Sequence, residues 1–154
     1  MVRLARREEE INRRFGDDSY KPFILLAQHQ NSETVTRFYR GAEVCVVTSL
    51  HDGMNLVSKE FIASRNDQKG VLILSQFAGA AGELPEALIV NPYHVEETAD
   101  ALYRAVTMPE AEQRDRMRSL RATVRERNVF RWAGFMLLDA ARIRRRERIE
   151  ARLL

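Results

Sequence analysis

Residues 44–61 read Val44-Cys45-Val46-Val47-Thr48-Ser49-Leu50-His51-Asp52-Gly53-Met54-Asn55-Leu56-Val57-Ser58-Lys59-Glu60-Phe61. An unbroken apolar run passes through a polar turn with one glycine into a segment whose apolar residues Met54, Val57 and Phe61 fall at steps of three and four. That is the order strand, turn, helix, with Met54, Val57 and Phe61 expected to face inward. The run lacks the apolar/polar alternation of a half-exposed strand, so it reads as covered on both faces. Phe23-Ile24-Leu25-Leu26, Val71-Leu72-Ile73-Leu74 and Ala87-Leu88-Ile89-Val90 repeat the pattern. The segments between these runs are too long for hairpins and long enough for crossover helices. The sequence therefore predicts an α/β layer structure, a parallel sheet with flanking helices.

Working outward, helices are expected over residues 32–40, from near Asn55 to the polar loop 66–70, and, shorter and rich in Gly and Ala, over 77–84. Ser32 is the expected N-cap of the first, with Val35, Phe38 and Tyr39 inward and Gly41 as its stop. After Asn91-Pro92-Tyr93 the chain reads as wholly helical. One helix covers residues 95–106, and the next has Pro109 in its first turn and a stripe of Met117, Leu120 and Val124. The last places Val129, Trp132, Met136, Ala140 and Ile143 on one face. A charged helix also precedes Phe15-Gly16. A doubly wound sheet normally starts with a strand, so this sheet is expected to be entered partway through.

The composition narrows the function classes. With 154 residues, 45% hydrophobic, the chain has material for one core. Lys plus Arg number 25 against 22 acidic residues, a net charge of +3 that does not advertise a nucleic-acid partner. The basic run from Arg142 to Arg148 is interleaved with Glu147 and Glu150, the pattern of solvated, salt-bridged helices rather than a basic groove. The single Cys45 excludes an internal disulfide and a four-cysteine zinc site, and it reads as inert packing. No stretch approaches the roughly 20 apolar residues of a membrane span, and the charged opening is unlike a secretory signal. The expectation is a cytoplasmic protein with no membrane or nucleic-acid partner.

The densest polar signal, Ser49 to Glu60, follows the strand ending near Thr48. The carboxyl end of a strand is where open α/β sheets bind ligands. Gly53 permits a sharp turn, and the helix beginning near Asn55 offers backbone N–H groups at Met54 to Val57 together with the positive end of its dipole. A phosphate or diphosphate suits that terminus. Asp52 precedes the turn, and Glu60 lies four residues after Leu56 on one helix face, about 6 Å further along the axis. Carboxylates accept pairs of hydrogen bonds from vicinal hydroxyls, so the spacing suggests a sugar nucleotide with ribose at Glu60 and a second sugar at Asp52. From spacing alone, a bare Asp-Gly turn and a solvated glutamate remain open alternatives.

The stretch Asp52 to Phe61 resembles the donor-binding motif of trehalose-6-phosphate synthases, retaining glycosyltransferases with two Rossmann-like domains of GT-B type facing a cleft. Glu10-Ile11-Asn12 with Phe15-Gly16, Gln28-His29, Phe38-Tyr39-Arg40-Gly41-Ala42 and Val46-Val47-Thr48 fall in the family's order. So do residues 74–81, Leu-Ser-Gln-Phe-Ala-Gly-Ala-Ala, and residues 88–93, Leu-Ile-Val-Asn-Pro-Tyr. The resemblance implies transfer of glucose from UDP-glucose to glucose 6-phosphate with retention, without cofactor or metal. It implies that Asp52 contacts the donor glucose and influences anomeric outcome. Gly53, Met54, Asn55, Leu56, Val57, Ser58, Lys59 and Glu60 would bind the substrate, with Leu56 and Val57 offering N–H groups and Glu60 holding the ribose. His29 and Gln30 would border the uracil. His51 is expected to be an exposed turn residue and His94 a local cap. Ser75, Gly79 and Ala80 either face the donor sugar or serve tight packing.

By the same resemblance, the acceptor domain and the Arg and Lys that neutralise the leaving diphosphate precede the start of this sequence. Residues 1–127 would be part of the C-terminal nucleotide-sugar-binding domain, and residues 128–154 a helix that in the family packs back toward the N-terminal domain. Glucose 6-phosphate would bind only with that domain, and these residues alone would not turn over. Trp132 and Met136 would be short of burial. Self-association through an exposed sheet edge, or pairing with a full-length synthase, is expected. Two alternatives stand beside this reading: a non-catalytic UDP-sugar-binding or regulatory module, and a glucosylglycerol-phosphate synthase or pseudo-glycosyltransferase with a different acceptor.

Overall fold

The computed structural model describes the backbone of residues 2–153 and the side chains of residues 3–144. The later arginines of the basic run, with Glu147 and Glu150, therefore lie outside the described side chains. The chain forms two compact units, Met1–Val35 and Thr36–Leu154.

In the first unit, helix α1 (Val2–Phe15) ends at Gly16. A Cβ at Gly16 would stand 2.6 Å from the Asn12 carbonyl oxygen and 2.7 Å from that of Tyr20, so only glycine fits this turn. The chain then runs back along α1. Asn12 receives the Phe23 N–H on Oδ1 (2.9 Å) and donates from Nδ2 to the Phe23 carbonyl (2.8 Å). Glu8 Oε1 receives the Leu25 N–H at 3.1 Å. Residues 23–26 are consequently no strand, which corrects the sequence expectation. Their apolar side chains are largely exposed, Ile24 to 68%. Helix side chains take backbone donors that a neighbouring strand would have taken.

Helix α2 (Ser32–Gly41) follows. Its cap is Asn31, whose Oδ1 receives the Thr34 N–H at 2.8 Å, and not Ser32 as the sequence suggested. With no strand before it, α2 is not a crossover.

The second unit is built on three parallel strands, β1 (Val44–Val47), β2 (Val71–Ser75) and β3 (Leu88–Val90), in the order β1-β2-β3. Val44 pairs with Val71 and Ile73 with Leu88. Helix α3 (Leu56–Ser64) connects β1 to β2, and a 3₁₀ turn (Gly79–Gly82) lies between β2 and β3 where a short helix over residues 77–84 was expected. Helices α4 (Val95–Thr107), α5 (Glu110–Glu126) and α6 (Val129–Leu153) complete the chain.

Every residue of β2 is buried. Its side chains alternate between two cores. Leu72 and Leu74 pack with Phe61 and Ile62 of α3 and Met117 and Leu120 of α5. Val71 and Ile73 pack with Leu88, Val90, Ala105 of α4 and Met108. A sheet with helices on both faces explains why the β2 sequence is continuously apolar. Each large side chain fully removed from water contributes on the order of 2 kcal/mol. Only β2 is covered throughout, since Val46 of β1 and Ile89 of β3 are partly exposed.

The inward face of α3 is Ser58, Phe61 and Ile62, whereas Met54 and Val57 are exposed. Met54 lies outside the helix, which starts at Leu56 after a non-helical Asn55, and Val57 sits exposed in its first turn. Pro109 is the N-cap of α5, one position before the first helical residue. Trp132 and Met136 of α6 are more than half exposed, as are Val129 and Ile143. No described helix is long and apolar enough to cross a membrane.

Candidate functional site

The loop after β1 is closed by its own side chains. Asp52 Oδ1 receives the N–H groups of Met54 (3.2 Å) and Asn55 (2.8 Å), and Oδ2 receives the Asn55 side-chain amide at 2.9 Å. The Asn55 N–H, then its side-chain amide, hold the Asp52 carboxyl below the usual carboxylate range; the Met54 N–H and the neighbouring His51 add to this. Asn55 is buried in a left-handed conformation (φ 50°), which asparagine tolerates better than most residues. It caps α3 by receiving the Ser58 N–H on Oδ1 at 2.9 Å, and the Ser58 hydroxyl donates to the Asn55 carbonyl, also at 2.9 Å.

This arrangement distributes the donors at the head of α3. The N–H groups of Met54, Asn55 and Ser58 are taken by Asp52 and Asn55. Those of Leu56 and Val57 have no acceptor among the described residues. They form the open donor pair of the helix N-terminus, where the dipole adds roughly half a positive charge.

A second loop, following β2, packs against this turn. Gly79 donates its N–H to the Asp52 carbonyl at 2.8 Å, and Asp52 bridges to Ala78 as a strand neighbour would. A Cβ at Gly79 would lie 1.9 Å from the Gly53 carbonyl oxygen, so the two backbones meet where no side chain fits. Lys59 Nζ pairs with Glu83 Oε2 at 3.0 Å across the same junction. Ser75 is buried with its Oγ receiving the Phe77 N–H at 3.1 Å, and Ala80 is buried. Of the two readings left open for Ser75, Gly79 and Ala80, these contacts are those of close packing.

Glu60 is exposed on α3, with its Oε2 receiving the Tyr39 hydroxyl at 3.4 Å. His51 is exposed. His94 caps α4, its Nδ1 receiving the Glu97 N–H at 3.0 Å, which places the imidazole proton on Nε2. Cys45 is half-buried, and burial pushes its thiol up to about 11, consistent with inert packing. Gln30 belongs to the first unit, with its side-chain amide donating to the Gln28 carbonyl at 3.3 Å. Among the described residues no three His, Cys, Asp or Glu side chains converge as metal ligands.

Residues 52–60 thus fall into two groups. The side chains of Asn55, Ser58 and Lys59 are engaged within the protein, as is most of the Asp52 carboxylate. The Leu56 and Val57 N–H groups and the Glu60 carboxylate face outward. Sequence reasoning missed Tyr39 as the partner of Glu60, Glu83 as the partner of Lys59, and Arg65. The Arg65 guanidinium donates to the carbonyls of Tyr39 (3.0 Å), Arg40 (2.8 Å), Ala42 (2.6 Å) and Lys69 (2.8 Å). Those on Tyr39, Arg40 and Ala42 tie the end of α2 to the end of α3. The signal for Tyr39 was its place in Phe38-Tyr39-Arg40, read there only as an inward apolar face.

The trehalose-6-phosphate synthase of Klebsiella pneumoniae is 44% identical over 134 residues, which are 86% of this chain and 28% of that protein. The bifunctional trehalose-6-phosphate synthase/phosphatase of Thermoproteus tenax is 44% identical over 129 residues, 84% of this chain and 18% of that protein. A crystal structure of an alpha,alpha-trehalose-phosphate synthase (UDP-forming) from Burkholderia xenovorans, in complex with glucose-6-phosphate, superposes with a TM-score of 0.86 at 40% identity. It covers 90% of this chain, which spans 31% of that structure. The chain therefore spans less than a third of the length of these relatives. The family profile of glycosyltransferase family 20 matches residues 3–142, and the chain belongs to that family.

Proposed function

We propose that this chain supplies the donor side of a UDP-forming trehalose-phosphate synthase, a retaining glycosyltransferase moving glucose from UDP-glucose to glucose 6-phosphate. The observation that carries the reading is the pairing of two open backbone donors, Leu56 and Val57, with an outward carboxylate, Glu60, on one helix. In the proposed complex the N–H pair and the α3 dipole hold the diphosphate, whose charge grows as the glucosyl bond breaks. Glu60 accepts hydrogen bonds from the ribose hydroxyls. Asp52 keeps the turn closed through three N–H bonds and has acceptor capacity left for a donor glucose hydroxyl. Gly53 and Met54 border the diphosphate, Asn55 and Ser58 hold the helix start, and Lys59 fixes the adjacent loop through Glu83.

No cofactor or metal enters this scheme. Glucose 6-phosphate would be bound by the portion of the relatives that this chain does not span. The unpaired outer edge of β1 supports pairing with a further strand, from that portion or from a second copy. A cytoplasmic location belongs to the same proposal.

The test is reconstitution. The chain combined with the acceptor-side portion of a relative is expected to release UDP from UDP-glucose only when glucose 6-phosphate is present, and the chain alone to release none. Release independent of glucose 6-phosphate, or none from the folded pair, contradicts the reading.

A further inference from the structure

A carboxylate on an exposed helix face has several rotamers of similar energy, and ordering it costs entropy when a ligand binds. Glu60 is such a residue, four positions past Leu56, and its usefulness to a diol depends on where it points. Only one described side chain meets its carboxylate, Tyr39, whose hydroxyl donates to Oε2 at 3.4 Å.

Tyr39 is itself held at its ring and its backbone. Its ring stands edge-on to the fully buried Phe61, with centroids 6.2 Å apart and planes at 80°. Its carbonyl accepts from Arg65 Nη1 at 3.0 Å, and the same nitrogen binds the carbonyls of Arg40 and Ala42. The phenol is thus fixed by backbone and ring, while the glutamate it meets is the exposed and adaptable partner. Burial and the negative charge of Glu60 push the Tyr39 phenol above its ordinary range.

We propose that Tyr39 is a positioning residue for nucleotide binding: its hydroxyl holds Glu60 Oε2, which aims Oε1 at a ribose hydroxyl of a nucleoside diphosphate. This rests on the reading of Glu60 as the ribose acceptor. One bond from Tyr39 leaves an ionised carboxylate with acceptor sites for both hydroxyls of a diol. Tyr39 does not touch the nucleotide, and no proton is transferred.

The experiment titrates the chain with UDP and with its 2′,3′-dideoxy analogue, which keeps the base and diphosphate and lacks the diol. Tyr39→Phe, which keeps the ring, is expected to weaken UDP about fivefold and to leave the dideoxy analogue unchanged. On a Glu60→Ala background it is expected to change neither. Equal weakening of both nucleotides would show a merely structural role and overturn the proposal, as would unchanged UDP binding. If Glu60→Ala itself leaves the preference for UDP over the analogue intact, the ribose reading fails first. If Glu60→Ala abolishes that preference and Tyr39→Phe preserves it, only the role of Tyr39 fails.

Discussion

Arg65 is the residue whose loss the fold should feel most. Its guanidinium is almost wholly buried and serves four backbone carbonyls as well as the Asp67 carboxylate at 3.0 Å. Arg65→Met keeps much of the stem and leaves those carbonyls unpaired. The expected cost is about 3 kcal/mol, read from urea denaturation. A loss under about 1 kcal/mol would contradict the assigned role. The sequence did not point to Arg65, because three of its partners lie 23 to 26 positions earlier in the chain. Asp52 and Glu60 were singled out from local signals, one beside a turn glycine and the other a helical turn past the helix start. What the sequence could not reveal is how much of Asp52 the turn consumes. Three N–H donors from Met54 and Asn55 occupy its oxygens.

At the scale of elements, the junction of the β1 and β2 loops supports the proposed site. Gly79 faces the Gly53 carbonyl so closely that any side chain forces the two loops apart. Gly79→Ala is expected to destabilise the chain by about 2 kcal/mol or more and to weaken UDP binding with it. Gly82→Ala, where an added Cβ meets nothing within 4 Å, is the control and should change neither. Unchanged stability and UDP binding in Gly79→Ala would mean that the junction is not rigid. Three of the four expected strands formed, those whose apolar runs found parallel neighbours. The fourth, Phe23-Ile24-Leu25-Leu26, has the same composition and failed because Asn12 and Glu8 claim its backbone N–H groups. Periodicity cannot register that competition, since it lies in the side chains of a preceding helix. Met54 fell outside the expected α3 stripe because the left-handed Asn55 delays the helix until Leu56.

For the molecule as a whole, a parallel sheet with flanking helices was legible from the apolar runs and the helical segments between them, and the structure adds that α3 and α5 take one face and α4 the other. Trp132 of α6 is 58% accessible, as the resemblance implied. The central claim concerns the helix start that this architecture presents: Leu56 and Val57 hold a diphosphate, and Glu60 holds the ribose attached to it. The most direct measurement is calorimetric titration of the unaltered chain and of Glu60→Ala with UDP and with inorganic diphosphate. The account predicts that Glu60→Ala weakens UDP by about tenfold or more and leaves diphosphate binding unchanged. Equal affinity of both proteins for UDP would contradict it.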